Sequence, residues 1–294
     1  MRVTENMTMS MSLAALQLQQ NSINTLEEEV SSGLKINEPS DNPVGAQQAL
    51  ELKGFMAATD QYTNNIQTGT TWLSQIDSTM TEMNNVLTTA QGLATQMANG
   101  TLSDGERQSA ANEATQLKNE MISLGNTQIA GKYIFGGYKN DQPPFDSSGN
   151  FNGTDDAINI QIGEGSSIAI NYSGGQLLSG GTSGTDVIGT LNSLVTALNN
   201  NDQQGVASAL TGITASQQQI QAAQADVGAR ENLLQNTTNI LSTTKDNLTQ
   251  ALSNTQDADY TQVLSNLSQQ QTAYQATLEA TAQISKLSLL DYMQ

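Results

Sequence analysis

From Ile66 to Met97 the chain reads IQTGTTWLSQIDSTMTEMNNVLTTAQGLATQM. Two seams run through it in steps of seven. Ile66, Leu73, Met80, Leu87 and Ala94 form one, and Gly69, Ile76, Met83, Ala90 and Met97 form the other. Apolar residues spaced alternately three and four apart draw one stripe along a helix, the pattern of a coiled-coil-like bundle. Methionines on such a stripe can line an adaptable peptide groove, but at heptad spacing they read as core, and Trp72 beside Leu73 reads as a packing anchor. Upstream, Asp41-Asn42-Pro43 is a helix start. Asp or Asn satisfies free amides there, and proline at the first helical position loses no hydrogen bond. The predicted helix therefore runs from Pro43 to about Asn99, where Asn99-Gly100 ends it.

Working outward, Ser103-Asp104-Gly105-Glu106 spells a capping box, and Ala110, Ala114, Leu117, Met121 and Leu124 follow on one helical face. Val187, Ile188, Leu191, Val195 and Leu198 mark another helix. Ile220, Val227, Leu234, Leu241 and Leu248 then repeat every seven residues, a stripe able to pack against the one from Ile66 to Met97. Between these helical parts, Gly131 to Gly184 is glycine-rich and holds Pro143-Pro144. Ile158 to Ile162 and Ile168 to Ile170 alternate with period two and read as strands, with Asn152-Gly153 as a hairpin turn.

The two ends, Leu13 to Leu34 and Val263 to Leu290, are amphipathic and almost free of glycine and proline. Their stripes, Leu13, Leu16, Ile23, Val30 and Leu34 at one end and Val263, Leu267, Tyr274, Leu278, Ile284 and Leu287 at the other, are too thin to be buried alone. They must pair with each other or with neighbouring copies. The expected fold is mainly α: a long coiled-coil-like helical bundle formed by the N- and C-terminal parts together, with a small β-rich inserted domain. The expected domains are 1–42 plus 256–294 (terminal coiled coil), 43–130 plus 187–255 (helical bundle) and 131–186 (outer insert).

Composition narrows the chemistry. The 294 residues include no cysteine and no histidine, which excludes disulfides, thiolates and any Ser-His-Asp or Cys-His arrangement. Only 4% of residues are aromatic and 13% charged, which suits a thin-cored, elongated molecule better than a compact enzyme. A net charge of -18 makes nucleic acid and anionic membrane surfaces poor partners. From Asp141 to Val227 there is no Lys or Arg but there are eight carboxylates, so this part should face solvent. No apolar run is long enough to cross a membrane, and Met1 to Ser12 carries no cleavable signal, which leaves the cytoplasm or export by a route that cleaves none.

Three constellations invite a chemical reading. Asp155-Asp156 and Asp257-x-Asp259 are paired carboxylates of the kind that does acid–base work, yet a turn and a helix start explain them. Asp146 to Asp156 (DSSGNFNGTDD) is dense in oxygen ligands suited to calcium but lacks the EF-hand order. Gly181 to Gly184 reads as a loop. No catalytic residue, cofactor or metal is expected.

A family resemblance rests on separated motifs. Ser31-Ser32-Gly33-Leu34-Lys35-Ile36-Asn37, followed by Ser40-Asp41-Asn42-Pro43-Val44-Gly45-Ala46, resembles the N-terminal signature of flagellins and flagellar junction proteins. Ser32, Gly33, Ile36, Asn37, Asp41 and Pro43 carry it. Asp257-Ala258-Asp259-Tyr260, with Asn266-Leu267 and Ala276-x-Leu278, resembles the start of their C-terminal helix, and Ile284 to Leu290 its end. Pro43, and Gly131 to Gly137 followed by Pro143-Pro144-Phe145, are similar to the hook–filament junction branch rather than to filament flagellins.

The resemblance implies a structural subunit of the bacterial flagellum, a ring between a first hook-associated junction protein and the flagellin filament. It implies export through the flagellar type III apparatus with a dedicated chaperone, an extracellular place and a role in motility. Its partners would be further copies of itself, the first junction protein, flagellin and the chaperone. In such proteins the end helices line the central channel and are expected to order only on assembly. The alternative reading is a filament flagellin. A remote one is a glycan-active or glycan-binding protein acting through the β insert.

Overall fold

The computed structural model describes residues 5–98, 103–181 and 184–292, with side chains described at 7, 9–98, 103–181 and 184–283. In chain order the elements are α1 (Glu5–Ser32), α2 (Pro43–Met97), α3 (Asp104–Gly125), β1 (Gln128–Ile129), β2 (Lys132–Tyr133), β3 (Asn159–Gly163) and β4 (Ser166–Ala169). Then follow α4 (Gly174–Leu178), α5 (Val187–Asn199), α6 (Gln203–Gln256) and α7 (Tyr260–Tyr292). The fold is mainly α, with two small two-stranded antiparallel sheets, β1–β2 and β3–β4. It divides into two compact units, Met1–Ala58 with Thr244–Gln294, and Thr59–Thr243. The division falls inside the two long helices, of 55 residues (α2) and 54 residues (α6), so each helix contributes to both units.

The larger unit is built on the stretch from Ile66 to Met97. Every position of both seams is buried. The facing helix runs antiparallel: Gln91 donates to Thr214, Gln217 to Thr88, and Gln224 to Thr81. Ile220, Val227 and Leu234 are buried against this stripe, Leu241 packs at its edge and Leu248 is half-buried. The α6 stripe also begins earlier than its seven-residue repeat shows, at Val206, Ala209 and Ile213. The methionines are core: Met80, Met83 and Met121 are at 0% exposure, with Trp72 packed at the edge.

α3 and α5 pack together, with Gln108 bonded to Asn199 and Lys118 to Asn192. The capping box at Ser103 forms in both directions. Asn99 and Gly100, read as the stop of α2, lie outside the described residues, as do Thr182 and Ser183 of the loop before α5.

The insert differs from expectation in detail. The strands form, joined by a turn at Glu164-Gly165, but Asn152-Gly153, expected as a hairpin turn, does not form one. Asn152 instead donates its backbone N–H to Pro144, beside the isolated Phe145–Phe151 bridge. The first hairpin starts at Gln128, ahead of the expected boundary, and turns through Ala130 (φ 48°) and Gly131 (φ 78°), the positive pair that matches the twist of a two-residue hairpin. The short helix α4 is new. Its Leu177 and Leu178 join Phe135 and Phe145 in the same core as the helices, so the insert does not have a core of its own.

Candidate assembly interface

The flagellin-like motif residues lie where the connection between α1 and α2 meets the connection between α6 and α7. Gly33 ends α1 in the left-handed region at φ 74°, donating its N–H to Glu29 at 2.9 Å. A Cβ there would sit 2.9 Å from the Tyr260 hydroxyl, so glycine answers both the backbone and the neighbour. Ser32 accepts from the Leu34 N–H. Leu34 and Asp257 form an antiparallel bridge: Ala258 N–H donates to the Gly33 carbonyl at 2.9 Å, and Lys35 N–H to the Gln256 carbonyl at 2.8 Å. The Lys35 ammonium donates to the Asn254 carbonyl at 2.9 Å, placing a cation at the C-terminal end of α6 where the helix dipole favours it.

The rest of the motif shapes the turn into α2. The Asp41 carboxylate accepts from the backbone of Asn37 and Glu38 at 2.9 and 2.8 Å. The Asn37 side chain donates to the Leu34 carbonyl. Asn42 caps α2 by accepting from Gly45 N–H, with Pro43 at the first helical position. Ile36, 5% exposed, lies over Gly45, whose added Cβ would come within 2.6 Å of the Ile36 Cδ1. Asp259 caps α7, accepting from Thr261 and Gln262. Burial first, with the Asp41 charge adding to it, lifts the Glu29 carboxyl above its ordinary range.

From this joint α1 and α7 run back and pack against each other. Ile23 and Val263 are buried, and Leu16, Val30, Leu34, Leu267 and Tyr274 are half-buried. Leu13 and Leu278 do not join this seam. Each lies one residue past a position that does, Ser12 and Thr277, and they are 54% and 43% exposed. The side chains of Ile284 and Leu287 lie outside the described set. The sequence reading missed a further apolar surface: Met7, Met11, Leu18, Val44, Leu50 and Leu264 are all at least half exposed. Its signal was present, since Met7, Met11, Ala14 and Leu18 advance in steps of four, three and four, on the side of α1 turned away from Leu16 and Ile23. Helices with one apolar face half-covered and another bare are suited to further helices packing on them.

The acidic candidates of the insert have structural partners. Asp146 accepts from the backbone of Ser148 and Asn150 and from the Asn150 side chain, which holds its carboxyl below the usual range, the Asn150 amide contributing most. Asp155 accepts from the Ser173 hydroxyl, which itself caps α4. Asp156 offers its backbone carbonyl to the buried Asn171. The polar residues that pin the insert were not visible in the sequence. Asn126 grips both the N–H and the carbonyl of Phe145 at 2.9 Å. Gln219 bonds both the N–H and the carbonyl of Thr185, and Arg230 donates to the carbonyls of Ala169 and Asn171.

Comparison with known proteins matches this layout. Residues 3–140 match the bacterial flagellin N-terminal helical region and residues 210–293 the bacterial flagellin C-terminal helical region. The chain is 29% identical to flagellar hook-associated protein 3 of Escherichia coli K12, covering 89% of this chain and 90% of that one. It is 27% identical to the Salmonella typhimurium protein of the same name, covering 98% of each. The crystal structure of Bacillus cereus FlgL superposes with a TM-score of 0.61 at 26% identity, over 69% of this chain and 99% of that one. Flagellins of two Vibrio species, at 33% and 32% identity, align over only 37% and 52% of the chain. The chain belongs to the bacterial flagellin family, and the two hook-associated proteins 3 match it along most or nearly all of its length.

Proposed function

We propose that this chain is the junction subunit of the flagellum, a structural protein seated between the first hook-associated protein and the flagellin filament. The observation that carries the reading is the end-to-end correspondence with hook-associated protein 3, insert included, where flagellins align over about half the chain or less. A subunit that joins two unlike partners needs surface for both. Bare apolar residues of the smaller unit, Met7, Met11, Leu18, Val44, Leu50 and Leu264, support this. The proposed assembly set remains Leu13, Leu16, Ile23, Val30, Leu34, Val263, Leu267, Tyr274, Leu278, Ile284 and Leu287, of which Ile23 and Val263 act within the α1–α7 pair.

In this reading 1–42 plus 256–294 form the assembling, channel-lining part. The bundle 43–130 plus 187–255 is the folded body, and 131–186 is the outer lobe. Its partners are further copies of the chain in a ring, the first junction protein, flagellin and an export chaperone. Absent cysteine and few aromatic residues suit a chain that leaves the cell unfolded through the flagellar export apparatus. Each terminal helix gains little burial alone against ordering costs of about 1–2 kcal/mol per residue, so the α1–α7 pair forms only transiently in the free chain, lasting order arrives with assembly and growth is confined to the tip.

Deletion of the gene tests the reading. Bare hooks under the electron microscope, with flagellin monomers released into the medium, are the expected result. Intact filaments would sink it in favour of a minor filament flagellin, the second reading, which the family matches at both ends support.

A further inference from the structure

We infer that the joint between the two connections is a clasp that sets the register in which α1 and α7 zip together. The α1–α7 seam is poorly equipped to set its own register. Its buried members on the described stretch are Ile23, Val263 and Thr281, and most of the remainder are half-buried Leu, Val, Gln and Thr at near-heptad spacing. A seam so sparing of apolar contacts discriminates weakly against a slip of one heptad: Leu26 would meet Tyr274 in place of Leu267, and Ile23 would meet Thr277 in place of Gln270. Natural coiled coils set register with a single distinctive contact instead.

The clasp is such a contact. It joins residues more than two hundred positions apart through the Leu34–Asp257 bridge, with its two backbone bonds, and through the Lys35 ammonium on the Asn254 carbonyl. The Gln256 amide adds a bond to the Ile36 carbonyl. These bonds are directional and do not repeat along either helix, so they close in one alignment only. They also hold the adjoining ends of α1 and α7 together before either helix has buried its stripe, which turns their pairing into a local event at high effective concentration.

The alignment has a definite consequence. At the clasp Gly33 faces Tyr260, and the helices diverge from there in opposite chain directions. Both advance about 1.5 Å per residue, so seven residues along each helix Leu26 comes opposite Leu267. A heptad slip would place Leu26 against Tyr274 instead. This inference does not depend on which part of the flagellum the chain builds.

The chain contains no cysteine, so introduced pairs report cleanly. In dilute full-length protein, Leu26→Cys with Leu267→Cys is expected to close an intramolecular disulfide, whereas Leu26→Cys with Tyr274→Cys is not. Ala258→Pro removes the N–H that binds the Gly33 carbonyl, and Gly33→Val forbids the left-handed turn. Either change is expected to abolish the preference between the two pairs, with Trp72 emission confirming that the larger unit remains folded. A preference that survives both changes, or that is missing from the parent chain, would overturn the inference.

Discussion

The two units spend their apolar residues in opposite ways. Among the described residues, the larger, Thr59–Thr243, contains all 38 members of the contiguous buried core, while the smaller adds only Ile23, Ile36, Ala49 and Val263 to the buried hydrophobics. Exposure runs the other way: of the 13 large hydrophobics left exposed among the described residues, ten belong to the smaller unit. The same heptad grammar is therefore used twice. In the larger unit both seams of α2 find partners within the chain. In the smaller one the stripes are half-covered and a second face stays bare, which a monomer rarely maintains over such an extent without a partner to cover it. One unit closes its apolar seams on itself and the other leaves them partly open.

Substitutions can break this contrast. The largest effect is expected from Leu267→Asp with Tyr274→Asp, which should abolish incorporation into flagella while leaving the thermal unfolding of the larger unit unchanged; normal incorporation would refute the terminal coiled coil. Leu73→Ala, at a fully buried seam position, should behave in the reverse sense. It is expected to cost about 2–5 kcal/mol in denaturant unfolding followed by Trp72, because the neighbours cannot collapse into the space. Ser103→Ala removes the hydroxyl that caps α3 and should cost about 1 kcal/mol by the same measurement, sharpening the view that the larger unit is locally as well as globally complete.

The smallest effect concerns Glu29 at the joint. Its carboxyl is lifted by burial and by Asp41, so its charged form is disfavoured in the folded state. The penalty is absent at low pH, where the group is protonated folded or unfolded. It builds as pH rises through the ordinary glutamate range and is fully present above the raised folded value. Glu29→Gln should therefore stabilise the α1–α7 pair slightly at neutral pH and not in acid. Hydrogen exchange of the α1 amides at the two pH values would read this, and equal protection of both chains at neutral pH would count against it.

Much of the body of the protein is legible in the order of its residues. Heptad spacing from Ile66 to Met97, the cap at Asn42-Pro43 and the box at Ser103–Glu106 are local signals. Helical periodicity and capping act within one turn or one face, and the folded chain obeys them at each of these positions. The motif residues Gly33, Ile36, Asn37 and Asp41 were visible as a family signature, but their physical work was not. For Gly33 and Ile36, with Lys35 between them, that work consists of bonds to Ala258, Gln256 and Asn254 and a contact with Tyr260, which sequence spacing cannot bring together. Asn37 and Asp41 bond within the turn itself.

The insert makes the same point from the other side. Its strands alternate visibly, yet Asn152-Gly153 makes no hairpin turn, because the Asn152 N–H is taken by the Pro144 carbonyl. Its attachment rests on Asn126, Gln219 and Arg230, polar side chains that bond backbone groups up to 61 positions away. A residue's own turn of helix or pleat of strand is dictated by its neighbours in sequence, and those features could be read directly. Which bare carbonyl a lone Asn, Gln or Arg satisfies, and which face of α1 remains uncovered, depends on where distant segments arrive. That is decided only when the chain has folded.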